Sequence, residues 1–282
     1  VPLVRGATSV ARAVLGADTV PSYSADLPGG GNARRTRAGC RGAGGGDPVA
    51  VYLPACVNSM FGAAGDGIGV TEAFTRLVER AGVRVVVPEG IESLCCSTPW
   101  TSKGYSGGRE VMARRVIDAV REASDDGDLV IVSDGASCTE GFAHIFDDAG
   151  LDYRTEDAVD FVARVVLPVL GDVAPVVDAL VLHPTCSSTQ MGLNPALRAV
   201  GDAVARTVTV PDAWGCCGFA GDRGMLHPEL TASATAAEAA EVRALDADAH
   251  ASCNRTCELG MTRATGKEYR HVLELLEEAT RP

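Results

Sequence analysis

Positive charge is scarce in this chain of 282 residues. Lys and Arg total 25 against 37 Asp and Glu, for a net charge of −12. Nucleic acid and anionic membrane surfaces are poor partners for such a chain. Long apolar runs are missing as well. The most apolar stretch, 159–186, is broken by Asp160, Arg164, Pro168, Asp172, Pro175 and Asp178, so no run of ~18 residues could span a membrane as a helix. No secretory signal is visible and the chain opens on Val-Pro-Leu rather than Met. The expectation is a piece of a longer, cytoplasmic protein, at most peripheral to a membrane. There is no Walker motif, no G-x-G-x-x-G after a strand and no Cys-x2-Cys-x2-Cys run. No Ser/His/Asp or Cys/His hydrolase arrangement stands out. The basic cluster Arg34, Arg35 and Arg37 sits in Gly-rich text and reads as solvated linker charge.

What is abundant is cysteine. Eight of the ten fall into two copies of one pattern: Cys56, Cys95-Cys96, Cys138, then Cys186, Cys216-Cys217, Cys257. The spacings are 39 and 42 positions in the first copy, 30 and 40 in the second. The local words repeat too. Cys56 and Cys186 each open Cys-x5-Gly, and Cys138 and Cys257 each open Cys-x2-Gly-apolar. Four thiolates per copy is the ligand count of an iron–sulfur cluster or a structural zinc. Clustered cysteines without an export signal read as metal ligands, not a disulfide framework. The expectation is therefore two metal sites. Cys40 and Cys253 read as buried apolar residues, although Cys253, four before Cys257, is a possible fifth ligand. His183 and His227 lie near cysteines and read as packed or surface residues, with metal ligation or a hydrogen bond to sulfide as the rival. Trp100 and Trp214 are expected to wall the sites.

The text from 49 onward alternates short β-rich runs with helical stretches. Strands are expected at 49–53, 83–87, 129–132, 179–182, 207–210 and 248–251, and helices near 70–81, 109–123, 139–148, 156–170, 194–205 and 229–243. Such alternation means parallel βαβ units with right-handed crossovers. The fold expected is α/β, built from two pseudo-symmetric parallel-sheet halves: an arm at 1–47, a first domain at 48–175 and a second at 176–282. A hydrophobic content of 46% supports a full core for two packed halves. Each patterned Cys lies just past the carboxyl end of a strand, the edge where such sheets bind ligands. The following helices point unpaired N–H groups at that edge, which favours an anionic cluster.

The words Trp-Gly-Cys-Cys-Gly-Phe-Ala-Gly-Asp-Arg-Gly at 214–224, His-Pro-Thr-Cys at 183–186 and Asn-Arg-Thr-Cys-Glu at 254–258 resemble the cysteine-rich CCG domain. That domain occurs in heterodisulfide reductase B subunits, glycolate oxidase iron–sulfur subunits and lactate-utilisation proteins. The text is most similar to the C-terminal part of bacterial FAD-linked D-lactate dehydrogenases. The resemblance implies tandem CCG domains carrying [4Fe–4S] clusters, two in number, that are lost or replaced by zinc on aerobic isolation. It also implies FAD-binding and ferredoxin-like parts elsewhere in the same polypeptide, and a quinone or cytochrome as acceptor. The fullest CCG pattern ends in Cys-x-x-Cys. Here Gly135 and Asn254 stand three before Cys138 and Cys257, so four matching ligands remain per copy. The rival functions are a zinc docking module and disulfide reduction at a cluster.

Overall fold

Among the described residues two four-stranded sheets form, with every neighbouring pair parallel. The computed structural model describes residues 2–34 and 46–282; Arg35, Arg37 and Cys40 lie outside them. The first sheet comprises β1 (Ala50–Leu53), β2 (Val85–Val86), β3 (Val130–Ser133) and β4 (Thr155–Asp157), in the order β2-β1-β3-β4. The second comprises β5 (Val177–Leu182), β6 (Ala205–Thr209), β7 (Ala249–Ser252) and β8 (Tyr269–His271), in the order β6-β5-β7-β8. The orders are the same, so the chain is a tandem α/β repeat.

The repeat extends to single residues. Ser133 closes β3 opposite Asp157, and Ser252 closes β7 opposite His271. The Ser133 hydroxyl donates to the Leu53 carbonyl at 2.9 Å and that of Ser252 to the His183 carbonyl at 2.8 Å. Asp157 and His271 then cap the helices that follow, accepting from the N–H groups of Val159 and Leu273.

β1 and β3 are buried along their whole length, as parallel strands covered on both faces must be. One continuous apolar core runs through both halves, from Phe74 and Phe161 to Leu197, Val200 and Leu276. The helix Val272–Ala279 of the second half packs on Val70–Arg80 of the first. The segment before β1 is a strap with contacts to both halves. Arg12 donates to the Leu226 carbonyl at 2.8 Å and Asp26 pairs with Arg263 at 2.7 Å. Further on, Gly31 donates to Ser59 O at 2.9 Å.

Two expectations need correction. Residues 156–170 are not one helix: 155–157 is a fourth strand, and helix begins at Ala158 with a π-turn over Val162–Val166. The helix expected at 229–243 breaks at Thr235 into Pro228–Ala234 and Ala236–Ala244.

Candidate metal centres

All eight patterned cysteines sit where the two sheets present their carboxyl edges. Cys56 and Cys186 each open a five-residue helix directly after β1 and β5. Cys138 and Cys257 are each the third residue of the helices Ala136–Asp148 and Arg255–Thr265. Those helices start alike. Gly135 and Asn254 have φ/ψ of −154/112° and −156/124°, and their carbonyls accept from the Cys138 and Cys257 N–H groups at 2.7 and 2.9 Å.

The Cys-Cys pairs lie on matching loops after β2 and β6. The residue after each pair is left-handed: Ser97 at φ 67° and Gly218 at φ 64°. That turn aims backbone N–H groups at the sulfurs. Gly218 donates to Cys216 Sγ at 3.4 Å. Cys217 accepts from Phe219, and Cys95 from Ser97. Such a nest of amides stabilises anionic sulfur.

In the first half the thiols interact in sequence: Cys56 with Cys95, Cys95 with Cys96, and Cys96 with Cys138. The contact with Cys95, together with burial, pushes the Cys56 thiol strongly up, and contact with Cys138 does the same to Cys96. In the second half Cys186 interacts with Cys216, while Cys217 and Cys257 lie with sulfurs 3.2 Å apart. Burial and then Cys216 raise Cys186 to about 11. Crowded thiols in a dry pocket resist ionisation one by one. A bound cation reverses that, because it ionises its ligands outright. The second group is the more open, with Cys186 and Cys216 exposed.

His183 belongs to the second group and was read from the sequence as a packed or surface residue. It is fully buried, and its Nδ1 lies 2.7 Å from Glu238 Oε1. Its other nitrogen, Nε2, makes no well-formed hydrogen bond among the described residues and meets the Cys217 thiol. The donor atoms of His183, Cys217 and Cys257 all lie within 4.8 Å of one another. Burial opposes charge on this ring, but Cys217 and Glu238 outweigh it and lift His183 to about 9. Cys217 falls to about 5, held ionised by the Cys257 thiol, against burial, with help from His183. His183 is thus drawn into the thiol group by its contacts with Cys217 and Glu238. Its signal in the sequence was the word His-Pro-Thr-Cys, but its partner Glu238, 55 positions away, carried none.

Cys253 stands apart from the thiol group. It is 1% exposed, its Sγ lies 3.9 Å from Thr185 Oγ1, and burial raises it to about 12. In the repeat it occupies the place of Asp134. That carboxylate was missed in the sequence, yet it fixes the loop under the first group, accepting from Tyr52 Oη at 2.6 Å, Ala55 N at 2.5 Å and Thr71 Oγ1 at 2.8 Å. Arg34 also departs from its reading as solvated charge. It is 8% exposed and donates to the carbonyls of Pro54, Glu92 and Leu94 at 3.2, 3.2 and 2.8 Å. It thereby ties together the loops that lead to Cys56 and Cys95. His227 is engaged elsewhere, by Asp18 and Glu229. Trp100 packs against Gly108.

The family model for the CCG cysteine-rich domain matches twice, over residues 50–142 and 180–262. This chain belongs to that family. A curated relative is lactate utilization protein A of Bacillus licheniformis, 24% identical over 227 residues, covering 73% of this chain and 92% of the relative. Both CCG matches begin at a sheet's first strand and reach past its last patterned cysteine. Among the described residues no helix is long and apolar enough to cross a membrane.

Proposed function

We propose that this chain is an iron–sulfur electron-transfer module serving the oxidation of a D-2-hydroxy acid of the D-lactate type. Cys56, Cys95, Cys96 and Cys138 would hold one [4Fe–4S] cluster. Cys186, Cys216, Cys217 and Cys257 would hold the other. The observation that carries this reading is the gathering of four thiols at each of two equivalent sheet edges, with amide donors aimed at the sulfurs. The name of the relative, a lactate utilization protein, supports the metabolic setting. A cluster supplies one-electron transfer when bound. The chain's own residues supply thiolates, N–H groups that lower the cost of negative charge, and burial that keeps water from Cys96, Cys138, Cys217 and Cys257. Hydride chemistry is assigned to an FAD-linked dehydrogenase segment or subunit outside these residues, and the acceptor to a quinone or cytochrome. An enzymatic role for the chain is that of an oxidoreductase component.

The compact His183, Cys217 and Cys257 group favours a second reading for the second site, a single zinc ion, whose donors crowd at bonds of about 2.0–2.3 Å. Anaerobic purification followed by iron, sulfide and zinc analysis separates the two. The cluster reading expects about four irons and four sulfides per site and broad visible absorption that bleaches on reduction. A colourless protein carrying zinc alone overturns it.

A further inference from the structure

The two sites are built to one plan but not from one donor set. His183 stands three residues before Cys186, and the matching position before Cys56 is Leu53, an apolar side chain with no donor atom. His183 is the residue whose carbonyl Ser252 binds, just as Ser133 binds that of Leu53. The substitution is therefore a replacement at one structural position, not a shift in register.

A buried imidazole usually satisfies both nitrogens. Here Nδ1 is taken by Glu238, itself 2% exposed, and the second carboxylate oxygen accepts from Gly215 N at 3.3 Å. Gly215 immediately precedes the Cys216-Cys217 pair. Glu238 thus locks the ring from behind and the cysteine loop from the side. Among the described residues Nε2 is buried with no well-formed hydrogen bond, and what it meets is the Cys217 thiol, in a group where all donor atoms lie within 4.8 Å. A carboxylate on one nitrogen, with the other nitrogen placed among thiols, is the arrangement that orients an imidazole toward a metal.

We propose that His183 Nε2 is a nitrogen ligand of the metal group in the second site, with Glu238 as its positioning residue. The second site then has mixed sulfur–nitrogen ligation and the first is all sulfur. The inference rests on the metal reading above. If the group is an iron–sulfur cluster, imidazole donation and the exposure of Cys186 and Cys216 both raise its potential over that of the first. An electron held by the module then rests on the second site.

The test uses the full chain, purified without oxygen, with Cys56→Ser and Cys95→Ser to empty the first site. X-ray absorption at the edge of whichever metal is bound should show a nitrogen donor at about 2.0–2.1 Å beside the sulfurs. Adding His183→Ala should abolish that shell. Glu238→Gln should keep the nitrogen but weaken retention against a chelator roughly 10- to 100-fold. In the parent chain, a redox titration should find two potentials, the higher moving down in His183→Ala. A sulfur-only shell around bound metal overturns the inference and leaves the metal reading intact. A parent chain with no metal at either site overturns both. The absorption measurement on His183-containing protein decides the matter even if the alanine variant does not fold.

Discussion

Cys253 and Cys257 are one helical turn apart in sequence, yet the chain gives them different work. Cys257 lies inside the first turn of its helix with its sulfur against Cys217, whereas Cys253 precedes the helix and faces Thr185. Cys257→Ser should therefore empty the second site of most of its metal, while Cys253→Ser retains it and shifts stability by about 1 kcal/mol, the scale of a polar swap at a satisfied buried site. Equal metal loss in the two variants would make Cys253 a ligand. At this scale the sequence was informative wherever chemistry recurs in a word. The eight cysteines were visible because each half repeats the other. Asp134, Arg34 and Glu238 were not, because each acts on a loop far away in the chain, and a lone charge has no period to reveal it. The left-handed turn after each Cys-Cys pair was visible in only one half. Gly218 adopts that conformation freely, but Ser97 adopts it against its own preference.

Helices and strands follow the same division between local and distant causes. The strands β1, β3 and β5 could be read from their apolar runs, but β4 is Thr-Glu-Asp and β8 is Tyr-Arg-His. Both are sheet-edge strands whose pairing, not composition, makes them strands. The caps that end them carry a pH signature. Burial, with repulsion from Asp134 and Asp160, raises Asp157 to about 7, against the Val159 N–H and Thr139 hydroxyl that favour the anion. The folded state therefore binds this proton more tightly than the unfolded chain. Its contribution to stability is complete below the ordinary carboxylate range and is lost as pH rises through about 7. Burial lowers the other cap, His271, to about 3, which acts in the opposite direction, so the Asp157 contribution is read as a difference: between pH 5 and pH 8 urea midpoints should fall more, or rise less, in the parent chain than in Asp157→Asn. The amide oxygen of that variant can still accept from Val159, and Glu258, raised by burial to about 7, keeps its own share of the slope. An unchanged slope would remove Asp157 from the explanation. The shared Cys-x2-Gly word gives a second element-scale test. A Cβ on Gly141 would meet Thr98 Oγ1 at 2.4 Å and Cys96 O at 2.7 Å, while one on Gly260 would meet nothing nearer than 3.5 Å. Gly141→Ala should push the Cys95-Cys96 loop off its helix, at a cost of roughly 1–3 kcal/mol, and reduce metal in the first site. Gly260→Ala should be tolerated. Metal analysis and thermal melts of the two variants check this.

At the scale of the whole molecule, the repeat raises the question of whether its halves stand alone. The packing argues that they do not. Glu277, on the helix Val272–Ala279, has no exposed side-chain surface and is held by Arg80 and Arg76 from the first half and by Arg281 from its own. Arg80 adds bonds to the Glu277 carbonyl and the Thr280 hydroxyl, both at 2.8 Å. Those arginines flank the apolar core shared by the halves. Removing the carboxylate strands cations that are partly exposed and can regain water, so Glu277→Ala should cost on the order of 2 kcal/mol, less than the loss of a wholly buried partner. The two tryptophans make the consequence measurable, since Trp100 lies in the first half and Trp214 in the second. In Trp214→Phe protein, fluorescence follows the first half, and in Trp100→Phe protein it follows the second. One shared core requires Glu277→Ala to lower the urea midpoint by the same amount for both probes. A shift confined to the Trp214 signal would mean that the halves unfold separately.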